Sequence, residues 1–470
     1  MPAFSLLLTG CAAGPDYAKP FLEIPDQWIA SPTDNKRIQA SEKEPAGLAQ
    51  WWSGFNDPVL SSLISRGIAS NLDIATAVQR VRQSRAAASG ANSGFWPSLD
   101  ASASYRKSGT RLPSGSSETP AGATGSVSET RSLYQAGFDA SWELDVFGSQ
   151  RRGAEAAEAE LQASQEDLHN ALVTLSGDIG MNYINLRGLQ EQLRITKENL
   201  KIQERSAQIT RKRHEAGFAS ALDTAKAEAQ LASTRAQIPS QESDIRKTIY
   251  AISLLLGQEP SGLITELEPY KPLPSWPDTI QTGLPSQLLE RRPDIRAAEA
   301  RLHAATARIG AAQADLFPRF FLNGSSGIQA AKLVSWSDSV TRLWSLGPSM
   351  SWNIFSGGAT RARIEENKAI AEQALIDLRK TILVSLMEVE SAWTAFDKEV
   401  ERSISLSIAQ ENSHRAVELS EKLYSEGQSD FMTVLDAQRS LYVTEEAYAL
   451  SRSRTAVHLI SLYKALGGGW

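Results

Sequence analysis

Residue types able to do chemistry sit in few places along this chain. In YQAGFDASWELDVF, Tyr134 to Phe147, the carboxylates Asp139, Glu143 and Asp145 recur with Gln135, Gly137 and Ser141. They alternate with Tyr134, Ala136, Phe138, Ala140, Trp142, Leu144 and Val146. Strict period-two alternation over about 13 residues sets an acidic, small face against a large apolar one, on a strand longer than the usual ~5–6 residues. The second place is the chain's one cysteine, Cys11. Elsewhere the five histidines are scattered, and no HExxH, Walker loop, GxGxxG or GxSxG occurs. An enzyme reading has no site to stand on, and neither cofactor nor metal is expected. A net charge of −6 gives no basic surplus for nucleic acid.

Cys11 follows Leu8-Thr9-Gly10 and the short apolar run from Phe4 to Leu8. The pattern resembles a bacterial lipobox, in which the cysteine becomes the lipidated first residue of the mature chain. Residues 1–10 then read as the remnant of a signal peptide. No stretch offers the ~20 apolar residues of a membrane-spanning helix, so any entry into a bilayer is by strands.

These features are positioned by a unit written twice. Asp73-Ile74 and Asp294-Ile295 lie 221 positions apart, and Arg80 meets Arg301 and Pro97 meets Pro318 at that offset. Further on the offset becomes 210, pairing Trp142 with Trp352, Tyr183 with Trp393, Gly217 with Gly427 and Leu256-Gly257 with Leu466-Gly467. Each copy begins with a helix, Leu72 to Phe95 or Asp294 to Phe317, stopped by Pro97 or Pro318. Two strands follow, at about 98–108 and 133–147 in the first copy and about 319–330 and 343–355 in the second. The first pair is separated by a Gly-, Ser- and Thr-rich loop of about 25 residues. Pro348 marks an edge or a bulge. A helix of about 67 residues then runs from Ser149 to Ala216, or Ala359 to Glu426. Leu168, Leu172, Leu175, Ile179, Asn182, Leu186, Leu189, Leu193 and Leu200 form a heptad seam along the first of these. Gly217 and Gly427 end the long helices. Ser220 with Asp223, and Ser429 or Asp430, begin the returning ones.

Four strands cannot close a barrel, and an open edge in lipid leaves backbone groups unpaired at several kcal/mol each. Two copies give eight strands, whose interior fills with side chains; three give twelve, which leaves room for water.

The motifs LTGCAAGPDYAKP, QWWSGFNDPVLSSLI, GLPSQLLERRPDIRAAEARLHAATARIGAA and LYSEGQSDFMTVLDAQRSLY, in this order with the repeat, cover nearly the whole chain. Together they resemble the TolC-like outer-membrane factor family, in its lipidated OprM/NodT-type branch. The resemblance implies a mainly α protein with a membrane β-barrel, a homotrimer whose 12-stranded β-barrel stands on a long coiled-coil α-barrel. It implies a lipid-anchored protein of the bacterial outer membrane, reaching into the periplasm as the exit duct of a tripartite efflux pump for small molecules. Its partners would be a periplasmic adaptor, an inner-membrane transporter and outer-membrane lipid. Ala12, where an Asp would signal inner-membrane retention, fits outer-membrane sorting. The adaptor-docking tip falls on Gly217, Phe218 and Ser220 and on Gly427, Ser429 and Asp430. A periplasmic gate falls on Asp436, with Thr433 where the family has a second aspartate, and on Tyr424 facing Asp223 across neighbouring coiled coils.

Along the chain this divides as 11–58, a lipidated N-terminal extension; 59–257, the first repeat; 258–283, a linker or equatorial segment; 284–467, the second repeat; and 468–470, a tail. Two other readings stand beside the efflux duct: a type I protein secretion conduit, and a lipid-anchored periplasmic coiled-coil scaffold without a pore. The wet face of Ser, Asp and Glu on the strands has no use in a scaffold.

Overall fold

The computed structural model describes residues 12–21, 23–29, 38–39, 48–112, 127–277, 280–281, 284–331 and 341–470. Residues 1–10 and Cys11 lie outside these, as does the middle of the loop expected between the first two strands. In chain order the elements are β1 (Ile38–Gln39), α1 (Pro58–Ser70), α2 (Leu72–Ser93), β2 (Ser98–Leu112), β3 (Val127–Leu144), α3 (Ser149–Glu215), α4 (Ala221–Leu255), α5 (Ile264–Leu267) and β4 (Ile280–Gln281). Then come α6 (Leu288–Arg291), α7 (Pro293–Ala314), β5 (Arg319–Ala330), β6 (Thr341–Ser351), α8 (Ala359–Ser425) and α9 (Phe431–Ala465).

The duplication is visible in the lengths. Helices α2 and α7 each have 22 residues, α3 and α8 each 67, and α4 and α9 each 35. It also reaches single hydrogen bonds. The indole N–H of Trp142 donates to the Phe95 carbonyl at 3.0 Å, and that of Trp352 to the Leu316 carbonyl at 3.1 Å. Each bond caps the frayed end of a helix that proline has just terminated.

The chain forms two compact units, residues 1–19, 83–162 and 300–376 in one, and 20–82, 163–299 and 377–470 in the other. Each draws on both copies of the repeat. The first unit holds one antiparallel sheet of order β2-β3-β5-β6. Its register places Leu99 against Ala140, Ala101 against Phe138 and Ala103 against Ala136. The ladder continues with Phe138 against Ser326 and Trp142 against Leu322, then Ser326 against Trp344 and Phe320 against Met350. Because directly opposed residues share a face, most of the apolar side chains of the four strands lie on one side of the sheet; Leu133, Phe321 and Leu343 are exceptions, in rows with Arg106, Glu143 and Gly327 on the other side.

The strand ends differ from those read in the sequence. β2 runs on to Leu112 and β3 begins at Val127, so both ends of the expected loop are strand. Ser, Gly and Thr bury little, but the backbone ladder, for example Thr110 with Glu129, satisfies the chain without side-chain burial. β3 stops at Leu144 rather than 147 because Asp145 turns to the helix, accepting from the backbone N–H of Gln150 at 3.1 Å and of Arg151 at 2.9 Å. β6 spans 341–351 rather than 343–355, because its partner β5 begins at Arg319, opposite Ser351. Pro348 pairs in unbroken register with Leu322 on β6, an outer strand of the sheet, which settles the edge reading over the bulge.

In the second unit Trp51, Phe55, Leu60, Leu63, Ile64, Ile179, Tyr183, Ile252, Trp393, Leu459 and Ile460 share one core. The buried face of α3 is wider than a heptad seam. Tyr183, Ile184 and Arg187 are fully buried beside Ile179 and Leu186, and several seam leucines, Leu168, Leu172, Leu189 and Leu193, are only partly covered. The Tyr183 hydroxyl donates to Asp57 at 2.6 Å, and Gln190 donates to the Leu267 carbonyl at 2.7 Å, so α3 is enclosed on more than one side here.

Candidate functional site: the strand faces and the helical turns

The sheet presents two chemically distinct faces. On the polar side, Ser141 donates to Asn323 Oδ1 at 2.9 Å, and Asn323 Nδ2 donates to Ser349 at 2.7 Å. The hydroxyls of Ser325 and Ser345 meet at 2.8 Å, and Ser102 reaches Asp139 at 3.4 Å. These cross-strand contacts tie hydroxyls, amides and one carboxylate into a hydrated surface of small side chains. Such a surface offers weak, exchangeable hydrogen-bonding contacts. The opposite side carries Leu99, Phe138, Trp142, Leu322, Trp344, Leu346 and Met350, all more than a third exposed. Exposed apolar surface of this extent, continuous across four strands, marks a face that meets lipid or protein.

At the other candidate place, α3 ends in a six-residue turn. Gly217 takes φ +79°, the Phe218 N–H donates to the Arg213 carbonyl at 2.7 Å, and the Gly217 N–H to that of His214 at 2.9 Å. This is the paired bonding that left-handed glycine at C′ permits. α8 repeats it, with Gly427 at φ +74° and the Gln428 N–H on the Leu423 carbonyl at 2.9 Å. α4 then starts with a reciprocal box: the Asp223 N–H donates to Ser220 Oγ at 3.1 Å and the Ser220 N–H to Asp223 Oδ2 at 3.1 Å. For α9 the cap is Asp430, not Ser429. Asp430 accepts from the Thr433 N–H at 3.0 Å and its hydroxyl at 2.8 Å, while the Ser429 hydroxyl donates to the Asp430 carbonyl. The backbone and side-chain bonds from Thr433 hold the Asp430 carboxyl below its ordinary range.

The sequence-derived gate residues are distributed as follows. Asp436 is exposed on α9. The Tyr424 ring packs on Phe431 and lies under the Arg213 guanidinium, 4.5 Å from the ring centroid. Asp223 is engaged in the box with Ser220. Within one chain, then, Tyr424 and Asp223 each have partners of their own. Phe218 projects from the turn with 78 % of its surface exposed. Phe431, Ala207 and Ala227 form a small buried cluster beneath Tyr424, joining the two turns. Among the described residues there is no group of three or more potential metal ligands.

Sequence reasoning missed the polar layer above this cluster. The Tyr442 hydroxyl lies within hydrogen-bond distance of two acceptors for its one proton, Gln237 Oε1 at 2.5 Å and Glu446 Oε1 at 2.9 Å, and meets the Thr196 hydroxyl at 3.2 Å. Burial pushes its phenol up to about 12. Gln438, 3 % exposed, donates to Glu421 at 3.0 Å and Ser206 at 3.2 Å. The sequence signal was there, as polar residues standing where the helical period calls for apolar ones.

The sequence profile of the outer membrane efflux protein family matches residues 63–258 and 284–468, the two copies of the repeat. Nodulation protein T of Rhizobium leguminosarum bv. trifolii is 31 % identical over 474 residues, covering all of this chain and 97 % of its own. The pyoverdine export outer membrane protein OpmQ of Pseudomonas aeruginosa is 32 % identical, covering 99 % of this chain and 95 % of its own. The solved structure of the outer-membrane channel OprN superposes with a TM-score of 0.89 at 34 % identity, over 98 % of this chain and all of that one. With helices and strands in this arrangement, and likeness along its full length, the chain belongs to the outer membrane efflux protein family and is a protein of the bacterial outer membrane.

Proposed function

We propose that three copies of this chain close a 12-stranded barrel and form the exit duct of a tripartite efflux pump, passing small molecules outward. One observation carries the reading. A single sheet of four strands has an apolar face on every strand, a polar face behind it, and two outer strands, β2 and β6, with no further partner strand among the described residues. In lipid such edges are satisfied only by other copies, and twelve strands leave a wet interior where four or eight do not. The polar face then lines the duct. It selects little, so the choice of cargo falls to an inner-membrane transporter; one relative is named for pyoverdine export, which favours small molecules over protein.

The remaining assignments belong to the same reading. Cys11 carries lipid and adds an anchor to a barrel that inserts by itself. The turns at Gly217, Phe218 and Ser220 and at Gly427, Ser429 and Asp430 dock a periplasmic adaptor, with exposed Phe218 as an apolar contact. Asp436, repeated three times about the axis, makes a ring that attracts cations. Tyr424 and Asp223 of adjacent coiled coils link to keep the entrance shut, each leaving its contacts within the chain to do so.

The test is conductance in planar bilayers together with a mass measurement in detergent. A trimer that conducts is expected. Tyr424→Phe with Asp223→Ala raises conductance several-fold, and Asp436→Ala removes cation block. A folded, conducting monomer would sink the assembly. Unchanged conductance in both variants would move the gate elsewhere.

A further inference from the structure

The apolar face of the sheet is not smooth. A groove of about 740 Å³ crosses all four strands, lined by Ala101, Ala103, Ala136, Phe138, Ile328 and Trp344, with Arg342 at its rim. The register explains its shape. Ala101, Phe138, Ser326 and Trp344 form one row across the sheet, and Ala103, Ala136, Ile328 and Arg342 the next. Rows on one face are two residues apart, roughly 6.8 Å. Where both rows carry alanine or serine, the gap between them stays open. The row between them, Ser102, Gly137, Gly327 and Leu343, also lines the groove, but the polar-side residues that flank this row, Asp100, Ser104, Gln135 and Asp139, take no part in it. The groove therefore belongs to the apolar face.

Charge on that face follows a rule. Between Leu99 and Lys107, Thr130 and Leu144, Phe320 and Ala330, and Arg342 and Met350, the residues that share it include two ionisable cations, Lys107 and Arg342, and no carboxylate. Both stand on the parts of their strands remote from Pro97, Pro318 and the helices, Arg342 as the second residue of β6 and Lys107 five residues before the end of β2. A cation on a lipid-facing strand is strongly unfavourable at the bilayer midplane and costs little near its surface. Trp352, at the helical end, and Arg342 are ten residues apart. At ~3.4 Å per residue and a tilt of ~40° this spans about 26 Å of membrane, close to the ~25 Å apolar band of such proteins. Arg342 thus reaches the outer headgroup level, where Tyr105 and Tyr134 pack with their rings tilted at 31° and 4.6 Å between centroids, and Trp344 lies 81 % exposed.

We propose that this groove is a binding site for the phosphorylated glycolipid of the outer leaflet, lipid A, with an acyl chain between the two rows and a phosphate on Arg342. A guanidinium fork matches phosphate in geometry and charge. Closure of the trimer sets β6 beside β2 of the next copy, which brings a neighbour's Lys107 to the same end. The proposal rests on the reading that the apolar face meets lipid.

Delipidated protein in detergent is offered lipid A bearing both phosphates, lipid A with the phosphates removed, or phosphatidylglycerol, and bound lipid is counted by native mass spectrometry. Phosphorylated lipid A is expected to bind best. Removing its phosphates, or Arg342→Gln, weakens retention roughly tenfold, the loss expected of one charge-assisted hydrogen bond. Ala103→Phe with Ala136→Phe fills the groove and abolishes binding with Arg342 still present. Equal binding of the two lipid A forms to the unaltered protein overturns the proposal and requires no variant. So does phosphatidylglycerol binding as well as lipid A, or Arg342→Gln binding normally. Conductance of the same preparation separates the two readings: a conducting trimer that ignores lipid A refutes the groove alone, and a protein that never conducts refutes the barrel.

Discussion

Ala140 and Ser141 are neighbours in β3 on opposite faces of the sheet, and they allow the face assignment to be tested with one new side chain. Ala140 shares its row with Leu99, Gly324 and Leu346. Leu346 stands four residues from Arg342 and six from Trp352, close to the middle of the apolar band. Ala140→Arg therefore places a guanidinium near the bilayer midplane, at a cost of about 2–4 kcal/mol per chain. Three symmetric copies suffer this together, roughly 6–12 kcal/mol per trimer, comparable with the whole stability of an ordinary domain. Ser141→Arg puts the same group on the polar face. It loses the 2.9 Å bond to Asn323, worth about 1 kcal/mol, and otherwise meets water. The assay is folding into lipid vesicles, read as heat-resistant trimer on gels, with conductance of whatever inserts. Ala140→Arg should fail to insert; Ser141→Arg should insert at near-normal yield and conduct cations less well. Equal insertion of the two variants would mean that the faces are not distinguished by lipid, and the barrel argument would lose its foundation.

Three further outcomes follow from the geometry. Gly217→Val and Gly427→Val force β-branched side chains into φ near +79° and +74°, costing about 1–2 kcal/mol each; the turns should fray in hydrogen exchange and transport should fall, while trimers and bilayer conductance persist. Trp393→Ala empties a site 1 % exposed and should cost about 3–5 kcal/mol in unfolding experiments, whereas Trp393→Phe should cost under about 2 kcal/mol, because the indole N–H it removes is buried with no partner among the described residues. Asp430, its folded pKa held below the ordinary 3.8, stabilises the start of α9 above the unfolded pKa and ceases to do so as pH falls through the folded one; amide protection at Phe431–Val434 should be lower in Asp430→Ala at neutral pH and indistinguishable from the unaltered protein once both are well below pH 3.8, and a difference that survives there would mean the cap does not act through its charge.

How much of this was legible in the sequence depends on whether local pattern or assembly sets each feature. Offsets of 221 and 210 read from residue identities anticipated the paired helices of 22, 67 and 35 residues, because Pro97, Pro318, Gly217 and Gly427 are local stops that need no tertiary information. Alternation from Tyr134 to Leu144 gave the two faces for the same reason. The strand from Val127 to Ser132 stayed hidden, since Ser, Glu and Thr carry no hydrophobic period, and what pairs them with β2 is the backbone ladder. The width of the buried face of α3 stayed hidden because Arg187 and Gln190 read as solvated. They are buried under Pro269 and Leu267, whose approach no heptad count reveals. At the first turn the capping pair Ser220 and Asp223 was readable down to the hydrogen bond, at the second the sequence left Ser429 and Asp430 as alternatives, and a gate is not a property of one chain. Asp223 and Tyr424 are satisfied as they stand, so any link between them must outcompete a capping box and a cation–π contact, each worth about 1 kcal/mol. A closing contact of ~1.5–3 kcal/mol less those two losses leaves between about −0.5 and +1 kcal/mol per interface, so the gate proposed above requires the link to lie at the strong end of that range, where three interfaces acting together add to a bias of about 3 kcal/mol.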